Sequence, residues 1–428
     1  MEVFASMFEA RLAPAASADG PPQSLPGGSW RRSLRVAVVT ETYPPEVNGV
    51  AKTIGRMVDG LRELGHQVTV IRPRQAGESL QENIDGKTFL VEGGSIPGYA
   101  DLRFGFPAVG RLRRLWLAQR PDVIQLVTEG PLGWAALRAA RRMGIPVISE
   151  FHTNFDAYSQ FYRIGWLEPL ITAYLRRIHN RSNMTLVPTE TLANELRNKG
   201  FERVRVLARG IDTRQFNPAR RSNELRTAWG ATENTPVVAY VGRLAAEKNL
   251  SLLISAFKAI RLRTPEAVLL VVGDGPEREA LRAALPDACF AGMRHGEDLA
   301  AHYASADLFL FPSETETYGN VTLEALSSGL PVIAMRSAAA AELIVCGENG
   351  YAAAPGNRDD FIRAAVAYVA APVTSREMRA RIAQSVALLS WSAITTELDM
   401  LFQAVVKPDR SVHRPVSVDP LAAEYCGS

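Results

Sequence analysis

Short segments that are apolar on both faces recur through this chain, and most lead into stretches with helical spacing. They fall at Arg35–Val39, Gln67–Ile71, Asp122–Val127, Pro146–Ser149 and Met184–Val187, then at Val237–Val241, Val268–Val272, Asp307–Phe311 and Pro331–Ala334. A strand without a polar face must be covered on both sides, which is the situation of a parallel sheet between two helical layers. Helical patterns occupy Val50–Leu64, Leu132–Met143, Leu250–Arg261 and Val321–Ser328. The alternation predicts an α/β fold. At 428 residues the chain exceeds what one core supports, so the two series of strands predict two doubly wound, Rossmann-like domains facing across a cleft. Such sheets place ligands at the carboxyl ends of their strands.

The domains are expected at 33–210 and 235–390, joined by a polar linker over 211–234 that contains Pro218 and a charged run. A helix over 391–406 follows. Residues 1–32, rich in Ala, Pro, Gly and Ser, read as a disordered leader rather than a signal peptide, and 407–428 as a loose tail.

Hydrophobic residues at 47% and charged residues at 22% exclude a disordered or fibrous chain. No stretch approaches a membrane span. Cys289, Cys346 and Cys426 are odd in number and far apart, so neither a disulfide framework nor structural zinc is expected, and a cytoplasmic location fits. The net charge of +3 is unevenly spread: residues 33–205 hold 23 Lys and Arg against 17 Asp and Glu, whereas 206–428 hold 22 against 25. That excess is too thin for a nucleic-acid partner, but it allows the first half to face an anionic surface.

Four places after predicted strands carry groups suited to chemistry. In Thr40-Glu-Thr-Tyr-Pro-Pro-Glu-Val-Asn-Gly-Val50, Gly49 opens a helix where backbone N–H groups can approach a phosphate. His152, in Glu150-Phe-His-Thr-Asn-Phe-Asp156, sits past a buried strand. In Gly242-Arg-Leu-Ala-Ala-Glu-Lys-Asn-Leu250, Arg243 and Lys248 can reach one diphosphate from two sides and stabilise a leaving group that departs with added negative charge. In Glu316-Thr-Tyr-Gly-Asn-Val-Thr-Leu-Glu324, Glu316 can accept from sugar hydroxyls and Glu324 from a ribose diol, while Gly319, Asn320 and Val321 offer backbone N–H groups at a helix start. Alone, the Gly49 and His152 segments read as well as structural loops, the Glu316 segment reads better as a solvated helix start, and the placing of Arg243 and Lys248 directly after a Val-rich strand favours function over two surface cations.

The chain lacks Gly-x-Gly-x-x-Gly and a Walker lysine, which weakens nicotinamide and ATP-cleaving readings. It also lacks an Asp-x-Asp after a strand, a zinc-ligand cluster and Gly-x-Ser-x-Gly. No metal or other cofactor is expected, so a bound diphosphate would be neutralised by Arg243, Lys248 and helix ends.

Taken together the chain resembles the family-4 retaining glycosyltransferases of the GT-B fold. The matching segments, in order, are Pro45-Glu-Val-Asn-Gly-Val50, Glu63-Leu-Gly-His-Gln-Val68, Phe151-His-Thr153, Arg209-Gly-Ile-Asp212 with Phe216-Asn-Pro218, Gly242-Arg243 with Lys248, Val272-Gly-Asp-Gly-Pro276, and Glu316 to Glu324 with Ala-Leu-Ser-Ser-Gly-Leu-Pro331. Within the family it looks most like GDP-mannose-dependent α-mannosyltransferases and bacterial glycolipid-forming enzymes, including the sulfoquinovosyl type. The resemblance implies a nucleotide-sugar donor in the C-terminal domain: Arg243 and Lys248 on the diphosphate, Glu324 on the ribose and Glu316 on the sugar. Tyr318, Gly319, Asn320 and Val321 would contribute backbone contacts, Gly49 would approach the diphosphate, and His152 would lie beside the donor sugar. It also implies that the last helix, over Trp391–Val406, crosses back to the first domain. One departure is Lys52, a cation near the diphosphate end of the first helix, which the sequence places either there or in solvent.

The resemblance puts the acceptor in the N-terminal domain. Two segments there join arginines to apolar residues: Arg111, Arg113, Arg114 and Arg120 with Leu112, Leu115, Trp116 and Leu117, and Arg176, Arg177 and Arg181 with Leu170, Ile171, Tyr174, Leu175 and Ile178. Basic amphipathic helices with an aromatic residue lie on anionic bilayers. The expectation is a lipid or lipid-linked glycan acceptor met at the cytoplasmic membrane face. A sugar-nucleotide isomerase or epimerase on a related fold, and a non-catalytic sugar-nucleotide-binding module, are the rival readings.

Overall fold

The computed structural model describes residues 32–406 except 47, 76–77, 79–86, 97–98, 153–167, 317 and 371–374. The expected tail, all of the expected leader but Arg32, and Val47, Thr153, Asn154, Phe155, Asp156 and Thr317 of the quoted motifs lie outside the described residues.

Two parallel sheets form the frame. The first contains β1 (Arg35–Val39), β2 (Gln67–Pro73), β3 (Thr88–Val91), β6 (Val123–Leu126), β7 (Val147–Glu150), β8 (Met184–Val187) and β9 (Val204–Val206), in the order β3-β2-β1-β6-β7-β8-β9. A separate antiparallel pair, β4 (Gly93–Ile96) and β5 (Tyr99–Gly105), follows β3. The second sheet contains β10 (Val237–Val241), β11 (Val268–Val272), β12 (Cys289–Gly292), β13 (Leu308–Phe311), β14 (Val332–Met335) and β15 (Gly350–Ala353), in the order β12-β11-β10-β13-β14-β15. Each sheet starts in its middle and reverses direction, which opens a crevice at the carboxyl ends of β1 and β6 and of β10 and β13.

Burial follows the two-sided pattern. Val36, Val38, Val68 and Val70 pack on one face of the first sheet, while Ala37, Val39 and Ile71 pack on the other. In the second sheet Val237, Ala239 and Val241 take one face, and Val238 and Tyr240 the opposite one. The helices used below are α1 (Gly49–Glu63), α2 (Val109–Ala118), α3 (Pro131–Met143), α4 (Glu168–His179), α5 (Leu250–Arg263), α6 (Asn320–Ser327) and α7 (Trp391–Val405). α1 buries Ile54, Met57, Val58 and Leu61 on one stripe, and Asn48 caps it by accepting the Ala51 N–H at 2.8 Å.

Two features join the halves. The stretch 211–234 is held to the second sheet by the buried Arg226, which shares Asp307 with Arg221 and Arg379 at 2.7–2.9 Å. α7 lies against α1: a Cβ on Gly60 would stand 2.5 Å from Thr395 Oγ1, and Asp399 lies 3.1 Å from His66 Nε2. Gln403 then donates to the Arg32 carbonyl at 2.8 Å. No described helix is long and apolar enough to cross a membrane.

Candidate active site

The donor side is assembled from the loops after β10 and β13. Arg243 follows β10 directly and pairs with Glu247, its side chain 63% exposed. Lys248 ends a single 3-10 turn, Ala246–Lys248, ahead of α5. Its ammonium donates to Glu316 Oε1 at 2.5 Å, and Ser313 Oγ donates to the same oxygen at 2.8 Å. The loop after β10 also packs closely on the loop after β11, because Gly273 adopts φ +132°, where a Cβ would collide with the Gly242 carbonyl oxygen.

α6 starts at Gly319, which adopts φ +83° and provides no side-chain cap. The Thr322 N–H donates to the Gly319 carbonyl at 3.0 Å, which leaves the N–H groups of Asn320 and Val321 for an external acceptor. Tyr318 is buried, and its carbonyl accepts the Ala339 N–H at 2.9 Å. One turn into α6, Glu324 is 7% exposed and accepts from the Tyr303 hydroxyl at 3.0 Å. Burial raises its pKa above the ordinary carboxylate value, against the opposing pull of Lys52. Lys52 reaches it from the other domain, Nζ lying 3.8 Å from Glu324 Oε1. The cation that the sequence left between diphosphate and solvent therefore spans the cleft.

Gly49 is the first residue of α1, and a Cβ there would meet no protein atom within 4 Å, so the helix start is open. His152 lies just past β7. Arg209 Nη2 sits 2.7 Å from His152 Nδ1, and Glu150 Oε2 2.9 Å from Nε2. An arginine only donates, so Nδ1 is the acceptor and Nε2 carries the proton given to Glu150. Burial pushes the Glu150 carboxyl up, but His152, Arg209 and Gln125 together bring it below its ordinary value. Arg209 is buried, and Tyr318 across the cleft contributes to its electrostatic surroundings.

Glu150, Gln125 and Arg209 were not singled out as site residues from sequence. A carboxylate closing an apolar strand was the available signal for Glu150, and Arg209 stood inside a quoted motif. Glu41 was missed as well. It follows β1, its carboxylate accepts the Leu132 N–H of α3 at 3.1 Å, and its pKa is pushed up to about 7, mainly by burial and further by Glu129. The structure thus gathers Lys248 with Glu316, and Glu324 with Lys52, while Arg243 turns to Glu247 and His152 to Glu150 and Arg209.

Two known families match the two halves of the chain. The family described as Glycosyltransferase Family 4 matches residues 47–215, and Glycosyl transferases group 1 matches residues 235–370. A GDP-mannose-dependent alpha-mannosyltransferase of Mycobacterium tuberculosis is 35% identical, the alignment covering 87% of this chain and 97% of that protein. The chain belongs to the family-4 glycosyltransferases. This glycosyltransferase is also 31% identical to the sulfoquinovosyl transferase SQD2 of Arabidopsis thaliana, over 78% of its own length and 66% of that protein's. An alpha-monoglucosyldiacylglycerol synthase of Streptococcus pneumoniae is 29% identical, over 70% of this chain and 71% of that one. The fold matches sucrose-phosphate synthase of Thermosynechococcus elongatus with a TM-score of 0.70 at 18% identity, covering 87% and 99% of the two chains. It matches Anabaena HepE, solved with UDP and glucose, at 0.64 and 19% identity, covering 87% and 100%. The fold is GT-B, and the isomerase and binding-module readings gain no support from these relatives.

Proposed function

We propose that this glycosyltransferase moves a mannosyl group from GDP-mannose, with retained configuration, to a lipid or lipid-linked glycan at the inner face of the cytoplasmic membrane. The observation that carries the reading is the convergence of Lys248, Glu316, Glu324 and the uncapped start of α6 at the carboxyl ends of β10 and β13. The relative at 35% identity, which spans both domains, supports GDP-mannose over a UDP-hexose.

Lys248, Arg243 and the α6 N–H groups take the diphosphate, with Gly49 closing from the other side. Glu324 holds the ribose diol and shares its second oxygen with Lys52. Glu316, paired with Lys248, receives the sugar hydroxyls, and Tyr318, Gly319, Asn320 and Val321 contribute backbone contacts. As the glycosidic bond breaks, charge grows on the leaving phosphate. Lys248 and Arg243 stabilise it there, and a leaving oxygen takes the acceptor's proton. His152 is fixed by Glu150 and Arg209, so it serves the sugar by position rather than as a free base. This scheme needs neither a carboxylate nucleophile nor a metal.

For the acceptor surface, α2 and α4 present Arg113, Arg114, Arg176 and Arg177, together with the exposed Leu117, Leu170 and Tyr174. Arg177 and Arg141 crowd the exposed Arg181 enough to lower its pKa by repulsion. Trp116, expected at the bilayer surface, is 1% exposed and packs into the core of the first sheet, so any aromatic contact with lipid falls to Tyr174.

Thermal denaturation with GDP, UDP, ADP and their sugar conjugates tests the donor. A ligand at 100 times its Kd stabilises by about 2.7 kcal/mol. GDP should raise the melting point most, and EDTA should leave turnover unchanged. No response to any nucleotide would sink the reading, and a response confined to UDP would move it to a UDP-hexose.

A further inference from the structure

The opposite edge of the first sheet carries a second recess, of about 600 Å³. It lies at the amino ends of the strands, where Arg35 of β1 pairs in register with Gln67 of β2 and Lys87 precedes β3. The cleft of the active site opens at the other ends of these strands, beyond Val39 and Glu150. The two sites are therefore separated by the length of the sheet.

The chemistry of the wall is one-sided. Arg35, Arg62 and Lys87 line it, and among the described residues no Asp or Glu does. Trp116 also lines it, is 1% exposed, and its indole N–H has no acceptor among the described residues. The buried Nε–H of Arg62 is in the same position. Buried donors without acceptors forfeit their hydration, and native structures seldom leave them so. Among the described residues, Asp122 accepts the Arg35 N–H at 2.7 Å and lies 3.8 Å from its Nε, Asp59 lies 4.0 Å from Arg62, and Asp399 lies 3.1 Å from His66. Lys87 has no acidic partner among the described residues. The half-buried Leu115 and the ring of Trp116 give the wall an apolar part, beside the polar Gln67, Thr69 and Gln119.

We infer that this recess is a second ligand site, for a phosphate ester whose charge meets Lys87, Arg62 and Arg35 while its esterified part lies beside Leu115 and Trp116. Two sources share that chemistry. A soluble phosphorylated polyol is one, and the headgroup of an anionic lipid is the other. The exposed Arg113, Arg114 and Leu117 on the same helix as Trp116 allow the second.

The test uses the full chain labelled with 15N at its tryptophan indoles, with the Trp116 resonance assigned by Trp116→Phe. sn-Glycerol 3-phosphate is titrated in one arm, and vesicles of phosphatidylglycerol or of phosphatidylcholine are added in two others. Movement of the Trp116 signal with glycerol 3-phosphate assigns a soluble ligand, and movement with phosphatidylglycerol vesicles alone assigns a lipid headgroup. Lys87→Glu, at an exposed position, should weaken either response by about tenfold, and Arg62→Gln should weaken it independently. GDP titrations on the same samples should be unchanged by Lys87→Glu. The inference is overturned if the Trp116 signal ignores all three probes, if its movement survives both substitutions, or if Lys248→Ala removes it. The last result would assign the binding to the cleft. Because nucleotide binding is read separately, failure of the recess and failure of the donor assignment are distinct results.

Discussion

The two walls of the cleft hold their charges differently. On the N-terminal wall His152 has both ring nitrogens engaged, by Arg209 and Glu150, and its partners are 8% and 3% exposed along their side chains. On the C-terminal wall Arg243 is largely exposed with Glu247 as its partner, and Lys248 is paired with Glu316. A buried, doubly tied group offers a preset surface, because moving it would strand its partners in a low-dielectric site. A singly paired cation can exchange one anion for another. The first wall is therefore suited to orienting a neutral sugar, and the second to receiving a diphosphate.

Glu150→Gln should produce the largest effect, since it leaves Arg209 buried beside a neutral amide. A loss of about 3–5 kcal/mol in unfolding free energy is expected from urea titration. The matching change on the other wall, Glu316→Gln, should cost clearly less, and equal losses would erase the contrast. Lys248→Ala should act on turnover instead, raising the barrier by about 2.7–4 kcal/mol, or about 10²–10³ in kcat, measured by release of nucleoside diphosphate. It should also abolish the thermal response to GDP. If stability falls as far as turnover, Lys248 is a structural residue like Glu150.

The pH dependence separates the walls further. Glu41 has a folded-state pKa of about 7 against an ordinary 4.5, so between these values the folded chain holds a proton that the unfolded chain has released. Its contribution is complete below the unfolded value and is lost as pH rises through the folded one. Between pH 5 and 7.5 the wild-type melting point should therefore decline relative to Glu41→Gln, by up to about 3 kcal/mol in stability. Parallel curves would remove Glu41 from the account. The smallest effect is expected from Lys52→Met. The lysine is 62% exposed, so losing its contact with Glu324 should change stability by less than about 1 kcal/mol. Removing its pull should nevertheless raise the Glu324 pKa further, visible as a shift in the pH dependence of GDP affinity.

The central strands of both sheets were legible because burial on two faces leaves an unbroken apolar run. The edges were not. β12 is only half-buried along its length, β9 has three residues, and the antiparallel pair β4 and β5 carries Gly93, Gly94 and Gly105 in place of packing side chains. The same divide applies to the active site. Lys248, Glu316, Gly319 and Glu324 lie in compact motifs directly after strands, and the structure brings Lys248 to Glu316. The setting of His152 was hidden because Arg209 comes from 57 residues away, and Gln125 reaches Glu150 across 25. Neither separation leaves a periodic trace. Lys52 was ambiguous for a related reason: its partner belongs to the other domain, and only the fold sets which helix faces which.

The contact of α7 with α1 has a consequence for biosynthesis. The Gln403–Arg32 bond joins residues 371 positions apart, and Thr395 and Asp399 complete a helix face made near the start of translation. While the ribosome works through the second sheet, the groove beside Gly60 and His66 must wait uncovered. The groove is closed only once α7 has emerged. Premature termination before Trp391 would leave that groove open for good, an apolar strip suited to capture by chaperones or to aggregation.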